Sequence, residues 1–241
     1  MCTVSFLRVN ESVIITSNRD EHRDRENSAA PAVYNHSGMK MIYPKDAKAG
    51  GTWFVAGEQG TVAVLLNGAF ESHIARPPYR KSRGLILLEI AGANQPVLFF
   101  SEMNLNGIEP FTVVLFQSGE LHELRWDGNA RYNRKLNEYE NHIWASATLY
   151  SPDVIEHRKK LFEQFIHSPM EITVSRVYDF HANNHGDDEN GFIINRQTGM
   201  KTFSITQAII DPETIAFTHA DLLQDKQFAE TMPVKRATIK S

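Results

Sequence analysis

The order of strand and helix patterns along the chain restricts its possible folds most strongly. Alternating or continuous apolar runs, typical of strands, dominate the ordered part of the chain before Asn67 and return from Phe192, and the helical patterns, with a few further strands, fall between them. The regular alternation of strand and helix that would indicate a parallel sheet is not seen. The chain has 241 residues without a repeat or a low-complexity linker. The sequence therefore predicts an α+β layered fold and a single domain over residues 1–241.

The first strand pattern begins at the very start of the chain. Residues 3–9 alternate, residues 12–17 read as a second strand, and Asn10-Glu11 supplies a two-residue turn between them. The sequence thus predicts an amino-terminal hairpin. Further strands are predicted at 39–43, 53–56, 61–66, 111–117, 121–126, 143–147, 192–195, 201–210 and 214–218, and helices at 82–91, 95–103, 151–167 and 175–181. The polar segment 18–35 is predicted to be a loop, and the last twenty or so residues to be peripheral.

Charge and cysteine content exclude several classes of protein. The net charge is -4 and the pI is near 6.2, which disfavours nucleic acid or anionic lipid as the main partner. No apolar run approaches the roughly 20 residues of a membrane span, and the first residues lack the pattern of a signal peptide. Because the chain has one cysteine, an internal disulfide is impossible and a reducing, cytoplasmic compartment is expected. The expected partner is a small molecule carrying an acyl or amide group, with no nucleic acid and no membrane.

Cys2 is the first candidate for chemistry. A single cysteine is most often a small buried apolar residue, and this interpretation stays open. The position of Cys2 favours another: removal of Met1 would leave a thiol and an α-amine on one residue, with ordinary pKa values of about 8.5 and about 8. Such an amine accepts the thiol proton near neutral pH, so one residue supplies both nucleophile and base. A strand beginning at Thr3 would hold this nucleophile rigidly.

Further candidates stand at the ends of predicted strands. If the hairpin forms, Arg19 and Asp20 return beside Cys2. There Arg19 would lower the pKa of the thiol, and Asp20 would hold the α-amine or orient Arg19. Asn67 follows the buried run V-A-V-L-L and is a candidate amide donor to an oxyanion. The competing interpretations are a solvated charge cluster at Arg19 and Asp20 and a plain Asn-Gly turn at Asn67.

Two charged segments are interpreted as solvated. The histidines and acidic residues between His181 and Glu189 crowd together but match no metal-binding motif, so no metal is predicted. The basic stretch 156–160 falls on an amphipathic helix and is predicted to face solvent.

Ordered motifs from the start of the chain to about residue 165 carry a family resemblance. They are M-C-T at 1–3, S-N-R-D-E at 17–21, G-G-T-W at 50–53, G-T-V-A-V-L-L-N at 60–67 and W-A-S-A-T-L-Y-S at 144–151. The chain resembles the NRDE family, also called the transport and Golgi organisation 2 family. That family is similar to the N-terminal-nucleophile hydrolases of the choloylglycine hydrolase and cysteine acyltransferase type. The resemblance implies a four-layer α-β-β-α sandwich.

The resemblance also implies roles for individual residues. Cys2 is then nucleophile and base, Arg19 and Asp20 surround it, and Asn67 contributes to the oxyanion hole. No cofactor is implied.

Asn18 and Ser146 are candidate substrate-binding residues. The family tends to have asparagine where this chain has Ser146, and a serine hydroxyl has a shorter reach. Two hypotheses remain open. The first is hydrolysis of an amide or other acyl bond, with acyl transfer as its variant. The second is a non-catalytic protein that binds an acyl, lipid or haem-like ligand in the same pocket.

Overall fold

The computed structural model describes residues 3–36 and 38–235, and Cys2 lies outside the described residues together with Met1, Ser37 and residues 236–241. The described residues form thirteen strands and four helices. The strands are β1 (Thr3–Val9), β2 (Ser12–His22), β3 (Ala29–His36), β4 (Met39–Lys45), β5 (Phe54–Gly57), β6 (Thr61–Asn67), β7 (Phe111–Gln117), β8 (Glu120–Trp126), β9 (Arg131–Leu136), β10 (His142–Ala145), β11 (Met200–Ile210), β12 (Thr214–Asp221) and β13 (Lys226–Pro233). The helices are α1 (Arg83–Ala91), α2 (Pro96–Glu102), α3 (Pro152–Ile166) and α4 (Val174–His181).

The strands form two antiparallel sheets. The first sheet has the order β10-β1-β2-β11-β12-β13, and the second runs from β3 to β9 in sequence order. The predicted amino-terminal hairpin is confirmed, with β1 flanked by β2 on one side and β10 on the other. At its amino end Thr3 pairs with Asn18 of β2 and with Ala145 of β10. The chain therefore starts its first strand inside a sheet and not at an edge.

Apolar packing arranges the elements in four layers. The two sheets meet through aromatic contacts such as Phe6 with Phe116 at 5.7 Å and Phe54 with Phe217 at 5.5 Å between ring centroids. Helix α1 packs on β5 and β6 of the second sheet. Helices α3 and α4 cover the outer face of the first sheet through a separate apolar cluster comprising Leu7, Ile14, Phe162, Val177, Phe180 and Phe192. The implied four-layer α-β-β-α sandwich is confirmed.

Local sequence signals fix where the helices begin. The Ser82 hydroxyl accepts a hydrogen bond from the Leu85 N–H at the start of α1, and Ser151 does the same for Val154 at the start of α3. Gly84, in the first turn of α1, packs directly against the loop before β5. A Cβ on Gly84 would lie 2.7 Å from the Thr52 carbonyl oxygen, so only glycine allows this approach.

Three predictions about secondary structure are wrong. The segment 18–35 is not a loop, because β2 continues to His22 and β3 covers Ala29–His36. The polar end of β2 stays in the sheet because it pairs with β11. Residues 192–195 form no strand and contribute only a bridge between Asn195 and Lys201. The last residues are not merely peripheral, because β13 is a strand of the first sheet.

No helix in the described ranges is long and apolar enough to cross a membrane.

Candidate functional site

Polar side chains at the amino end of β1 and the carboxyl end of β2 lie on both faces of the first sheet. Successive residues of a strand point to opposite faces, so Thr3 and Ser5 share one face of the sheet with Asn18, which pairs with Thr3 across β2. Ser5 and Asn18 both bond to His181 of α4, which identifies this face as the outer one. Arg19 points the other way, towards the second sheet. Residues adjacent in the S-N-R-D-E run therefore have different surroundings.

Arg19 is held on the inner side by an ion pair and an aromatic ring. Its side chain is buried, with the guanidinium carbon 4.3 Å from the ring centroid of Trp53. Its Nη2 lies 3.1 Å from Oδ2 of Asp46, which also pairs with Arg25 at 3.0 Å. Burial would raise the pKa of Asp46, but the Ala49 N–H and the two arginines outweigh burial and lower it. The carboxylate is therefore ionised at neutral pH and keeps Arg19 in place.

A cleft of about 550 Å³ opens beside Arg19 between the two sheets. Asn67, the last residue of β6, lines the same cleft from the second sheet, and Trp53 and Arg83 form part of its wall. Asn67 also borders a smaller cavity of about 180 Å³ that reaches Ala145 at the end of β10. The structure thus brings Arg19 and Asn67, two of the sequence candidates, to one opening.

Ser146 joins the ends of two strands from different sheets. It is buried and follows β10, and its hydroxyl donates to the carbonyl oxygen of Asn67 at 2.9 Å. The Thr148 hydroxyl lies 3.0 Å from the same Ser146 oxygen. Ser146 therefore positions the backbone of Asn67.

Asp20 lies on the outer side of the first sheet and is buried. Its carboxylate accepts hydrogen bonds from the Tyr150 hydroxyl at 2.7 Å and from the Thr202 hydroxyl at 2.6 Å. These bonds tie β2 to β11 and to the segment before α3. Asp20 and Arg19 therefore contribute to the two faces of the same strand end.

Asn18 is a connector between β2 and the layer that contains α4. Its side-chain amide donates to the carbonyl oxygens of His181 at 2.9 Å and Phe192 at 3.0 Å. Its amide oxygen accepts from Nδ1 of His181, so Nε2 of that histidine accepts from the Ser5 hydroxyl at 2.7 Å. Burial, followed by the charge of Arg158, lowers the pKa of His181 to about 3. His181 is thus neutral and structural at neutral pH.

Comparison of the sequence with profiles of protein families shows to which family the chain belongs. The profile of the family described as "Transport and Golgi organisation 2" matches residues 1–214. The chain belongs to that family. No curated protein matches the sequence.

Solved structures similar to this member of the Transport and Golgi organisation 2 family share its fold. Two variants of conjugated bile acid hydrolase from Clostridium perfringens superpose with TM-scores of 0.56 at 10% identity. In the first, a mutant described as C2A, the match covers 98% of this chain and 97% of that one. The Caenorhabditis elegans N-acylethanolamine-hydrolyzing acid amidase ortholog has a TM-score of 0.60 at 10% identity, covering 86% of this chain and 92% of that one. The fold of this family member is thus that of the N-terminal-nucleophile hydrolases.

Arg158 of this family member is buried, in contrast to the rest of its basic stretch. The sequence predicts that residues 156–160 face solvent, yet Arg158 is 1% exposed. The prediction is wrong at Arg158 because this residue lies three positions after Ile155 and four before Phe162, on the apolar face of α3. The spacing from Ile155 and Phe162 indicates a buried position, but a charged residue in a basic stretch is typical of a solvated helix face.

The histidines and acids between His181 and Glu189 have separate roles. His181 is buried under the first sheet, and the Asp187 carboxylate accepts the N–H groups of Glu189 and Asn190 in its own loop. Within the described part of this chain, no three histidine, aspartate or glutamate side chains are arranged to hold a metal ion.

Proposed function

We propose that this protein is a cysteine hydrolase of the N-terminal-nucleophile type that cleaves an amide or other acyl bond of a small molecule. The observation that carries the proposal is the convergence of Arg19 and Asn67 on one cleft, at the strand ends beside the start of β1. Cys2 is covalently joined to Thr3, whose position in the sheet is known. Thr3 pairs with Asn18 of β2 and with Ala145 of β10, the residues that come directly before Arg19 and Ser146 in the sequence. The fold of the bile acid hydrolase and of the acid amidase ortholog supports the same class.

In the proposed mechanism Met1 is first removed, which frees the α-amine of Cys2. That amine takes the proton from the Cys2 thiol, and the sulfur attacks the substrate carbonyl carbon. The side-chain amide of Asn67, with a backbone N–H, stabilises the negative charge that develops on the carbonyl oxygen. The carbon–nitrogen bond of the amide then breaks, and the leaving amine receives the proton from the ammonium of Cys2. Water, deprotonated by the same α-amine, hydrolyses the thioester and releases the acid.

The charge of Arg19 has a defined part in this scheme. A guanidinium beside the thiol favours the thiolate and lowers the pKa of the thiol. Asp46 fixes the direction of Arg19 through their ion pair while leaving the stack on Trp53 intact. If an acceptor amine enters the cleft in place of water, the same steps give acyl transfer. We propose the cytoplasm as the site of action, because a reducing compartment keeps such a thiol free.

A non-catalytic binding protein is the second candidate, and Ser146 favours it. Its hydroxyl is engaged by the Asn67 carbonyl and by Thr148, so it is directed at the protein and not at the cleft. The oxyanion would then have one side-chain donor fewer than in relatives with asparagine at that position. Such a protein would hold an acyl or lipid-like ligand in the cleft without cleaving it.

The test combines intact mass with a reactivity measurement. Loss of one methionine, and single alkylation by iodoacetamide faster than that of free cysteine at pH 7.5, are expected for the wild type and not for Cys2→Ala. A panel of N-acyl amides is then assayed by release of the amine, which Cys2→Ala should abolish. Retention of Met1 on the isolated protein, or a thiol of ordinary reactivity, would contradict the enzyme and favour the binding protein.

A further inference from the structure

The cleft beside Arg19 carries more positive than negative side chains. Among the described residues, five cations and three carboxylates line it. The cations are Arg19, Arg25, Lys48, Lys81 and Arg83. Glu89 pairs with Lys81 from outside this lining, so one positive charge is in excess even when Glu89 is counted. Because the whole chain has a net charge of -4, this cleft is the opposite of the average surface and attracts anions.

Every carboxylate of the lining has an arginine beside it. Asp46 and Glu21 lie 3.1 Å and 3.8 Å from Nη2 of Arg19. Glu109 lies 3.1 Å from Nη2 of Arg83. The negative charges of the cleft are therefore neutralised within the protein. A cationic ligand would have to displace an arginine from one of these carboxylates, whereas an anionic ligand would not.

Two buried N–H groups of the cleft wall have no acceptor among the described residues. One is the Nε1–H of Trp53, a residue that is 3% exposed. The other is the Nε–H of Arg25, since Asp46 engages only Nη2 of that guanidinium, at 3.0 Å and 3.1 Å. Both groups can donate a hydrogen bond but cannot accept one. Because a buried donor without an acceptor is costly, they favour a ligand that brings oxygen acceptors.

Lys48 and the start of α1 add to the positive potential of the cleft. The backbone N–H of Lys48 donates to the Asp46 carboxylate at 3.1 Å, and its side chain is exposed. Arg83 and Gly84 belong to the first turn of α1 and line the cleft, and the amino end of a helix favours negative charge. The unpaired donors, the lysine and the helix end thus favour the same class of ligand.

We propose that the cleft binds an anionic oxygen group of its ligand, a carboxylate or a phosphate, through Arg25, Lys48 and Trp53. Arginine presents a planar fork that suits either group, and lysine supplies a point charge. Asn67 lines the same cleft, whose volume of about 550 Å³ is that of a small-molecule site. The substrate is then an acidic N-acyl compound. Cleavage of this compound rests on the proposed function, but the anion site does not and would equally serve a binding protein.

The experiment measures binding by isothermal titration calorimetry to the full-length Cys2→Ala protein, which should not consume the probes. The probes are N-hexanoylglycine, its neutral twin N-hexanoylglycinamide, and N-hexanoyl phosphoethanolamine. We expect at least one acidic probe to bind about tenfold more tightly than the neutral twin, as for a hydrogen bond to a charged group. The difference should shrink between about 0.05 M and about 0.5 M sodium chloride, because salt screens charges that water reaches.

Substitutions in the same protein assign the site to its residues. Arg25→Gln should weaken the preferred acidic probe about tenfold, and the exposed Lys48→Gln about threefold. Trp53→Phe removes the N–H but keeps a ring beside Arg19, and should also weaken that probe. None of the three should change binding of the neutral twin. Lys45→Gln is the matched control, because Lys45 is an exposed lysine of the same segment that does not line the cleft.

The outcomes separate the anion site from the proposed function. A preference for the carboxylate or for the phosphate probe supports the site and identifies the group. Equal binding of all three probes, or binding of none, overturns it, as does a preference that Lys48→Gln and a folded Arg25→Gln both retain. If the wild type hydrolyses the neutral twin as fast as the acidic probes, the proposed function stands and the inference fails. Selective binding of an acidic probe that the wild type never cleaves keeps the anion site and contradicts the proposed function.

Discussion

The hydroxyl of Ser146 donates to the carbonyl oxygen of Asn67 at 2.9 Å, and this bond joins the ends of two strands that belong to different sheets. Asn67 lines the cleft that also contains Arg19. The bond therefore links a buried serine, whose side chain does not enter the cleft, to the residue proposed to bind the oxyanion.

Removal of that hydroxyl should affect both stability and reactivity. Ser146→Ala leaves the Asn67 carbonyl without its donor, and we expect a loss of about 1 kcal/mol in the free energy of unfolding. Because the backbone of Asn67 is then less well fixed, turnover of an N-acyl amide should fall by about tenfold through kcat, with little change in KM. Denaturant titration and steady-state kinetics measure the two effects.

Ser101 provides the matched control for Ser146. Its hydroxyl also donates to a carbonyl oxygen, that of Leu98 at 2.7 Å, but on an exposed turn of α2. Ser101→Ala should leave both quantities within error of the wild type. Equal effects of the two substitutions would show that the Ser146 bond has no special relation to the cleft.

The bond between Tyr150 and Asp20 predicts a larger loss of stability. Tyr150→Phe removes one of the hydroxyls that donate to this buried carboxylate, and we expect unfolding to become easier by about 1–3 kcal/mol. Tyr132→Phe is the control, because its hydroxyl also donates to a carboxylate, that of Asp127 at 3.0 Å, on an exposed strand. A Tyr150→Phe variant as stable as Tyr132→Phe would contradict the assigned importance of the buried bond.

Much of the fold could be predicted from the sequence because its hydrophobic periodicity and its turn and capping residues were clear. The hairpin of β1 and β2 and the Ser151 cap of α3 could both be predicted from these signals. The pattern failed where charged residues are buried in a sheet interior, as at Arg19. It also failed at the edge strands β9 and β13, whose exposed residues do not alternate with a core-facing set. One domain over residues 1–241 stays a prediction.

The candidate site was predicted in part, and largely through the family resemblance. Arg19 and Asn67 lie at one cleft, as the proposed chemistry needs, although their assigned roles stay predictions. Alternation along β2 places Asn18 and Asp20 on the outer face, which residue counting from Arg19 would have indicated. Arg158 was missed because a charged residue on the apolar face of a helix is read as solvated when its partners, Thr3 and the carbonyls of 190 and 191, are distant in sequence.

The buried histidines predict a loss of stability in mild acid. Burial, followed for His181 by Arg158 and opposed for His219 by Asp221, lowers their pKa values from 6.5 to about 3 and about 4. Below about pH 6.5 these histidines therefore bind protons in the unfolded chain but stay neutral in the folded protein. Their contribution to the free energy of unfolding is fully present above that pH and decreases as the pH falls towards 4. Each histidine contributes a slope of about 1.4 kcal/mol per pH unit in this window.

Urea unfolding at pH 7, 6, 5 and 4 measures that slope. His181→Asn should be less stable than the wild type at pH 7, because Ser5 loses its partner, but its slope between pH 6 and 4 should be smaller. His157→Gln replaces an exposed histidine of α3 and should keep the wild-type slope. A His181→Asn slope equal to that of the wild type would mean that His181 is protonated in the folded protein.

The contact between Gly84 and the Thr52 carbonyl predicts how the cleft wall responds to one added methyl group. Gly84→Ala would bring a Cβ to 2.7 Å from that oxygen, so the start of α1 must move away from the loop before β5. We expect unfolding to become easier by about 1–3 kcal/mol, and substrate binding to weaken, because Arg83 and Trp53 in the cleft wall would separate. Gly57→Ala is the control, since its Cβ would meet the Thr61 Cβ at an ordinary 3.7 Å. Thermal unfolding and KM measure the two effects. A Gly84→Ala protein with the stability and the KM of the wild type would show that the position of the helix start does not influence the cleft.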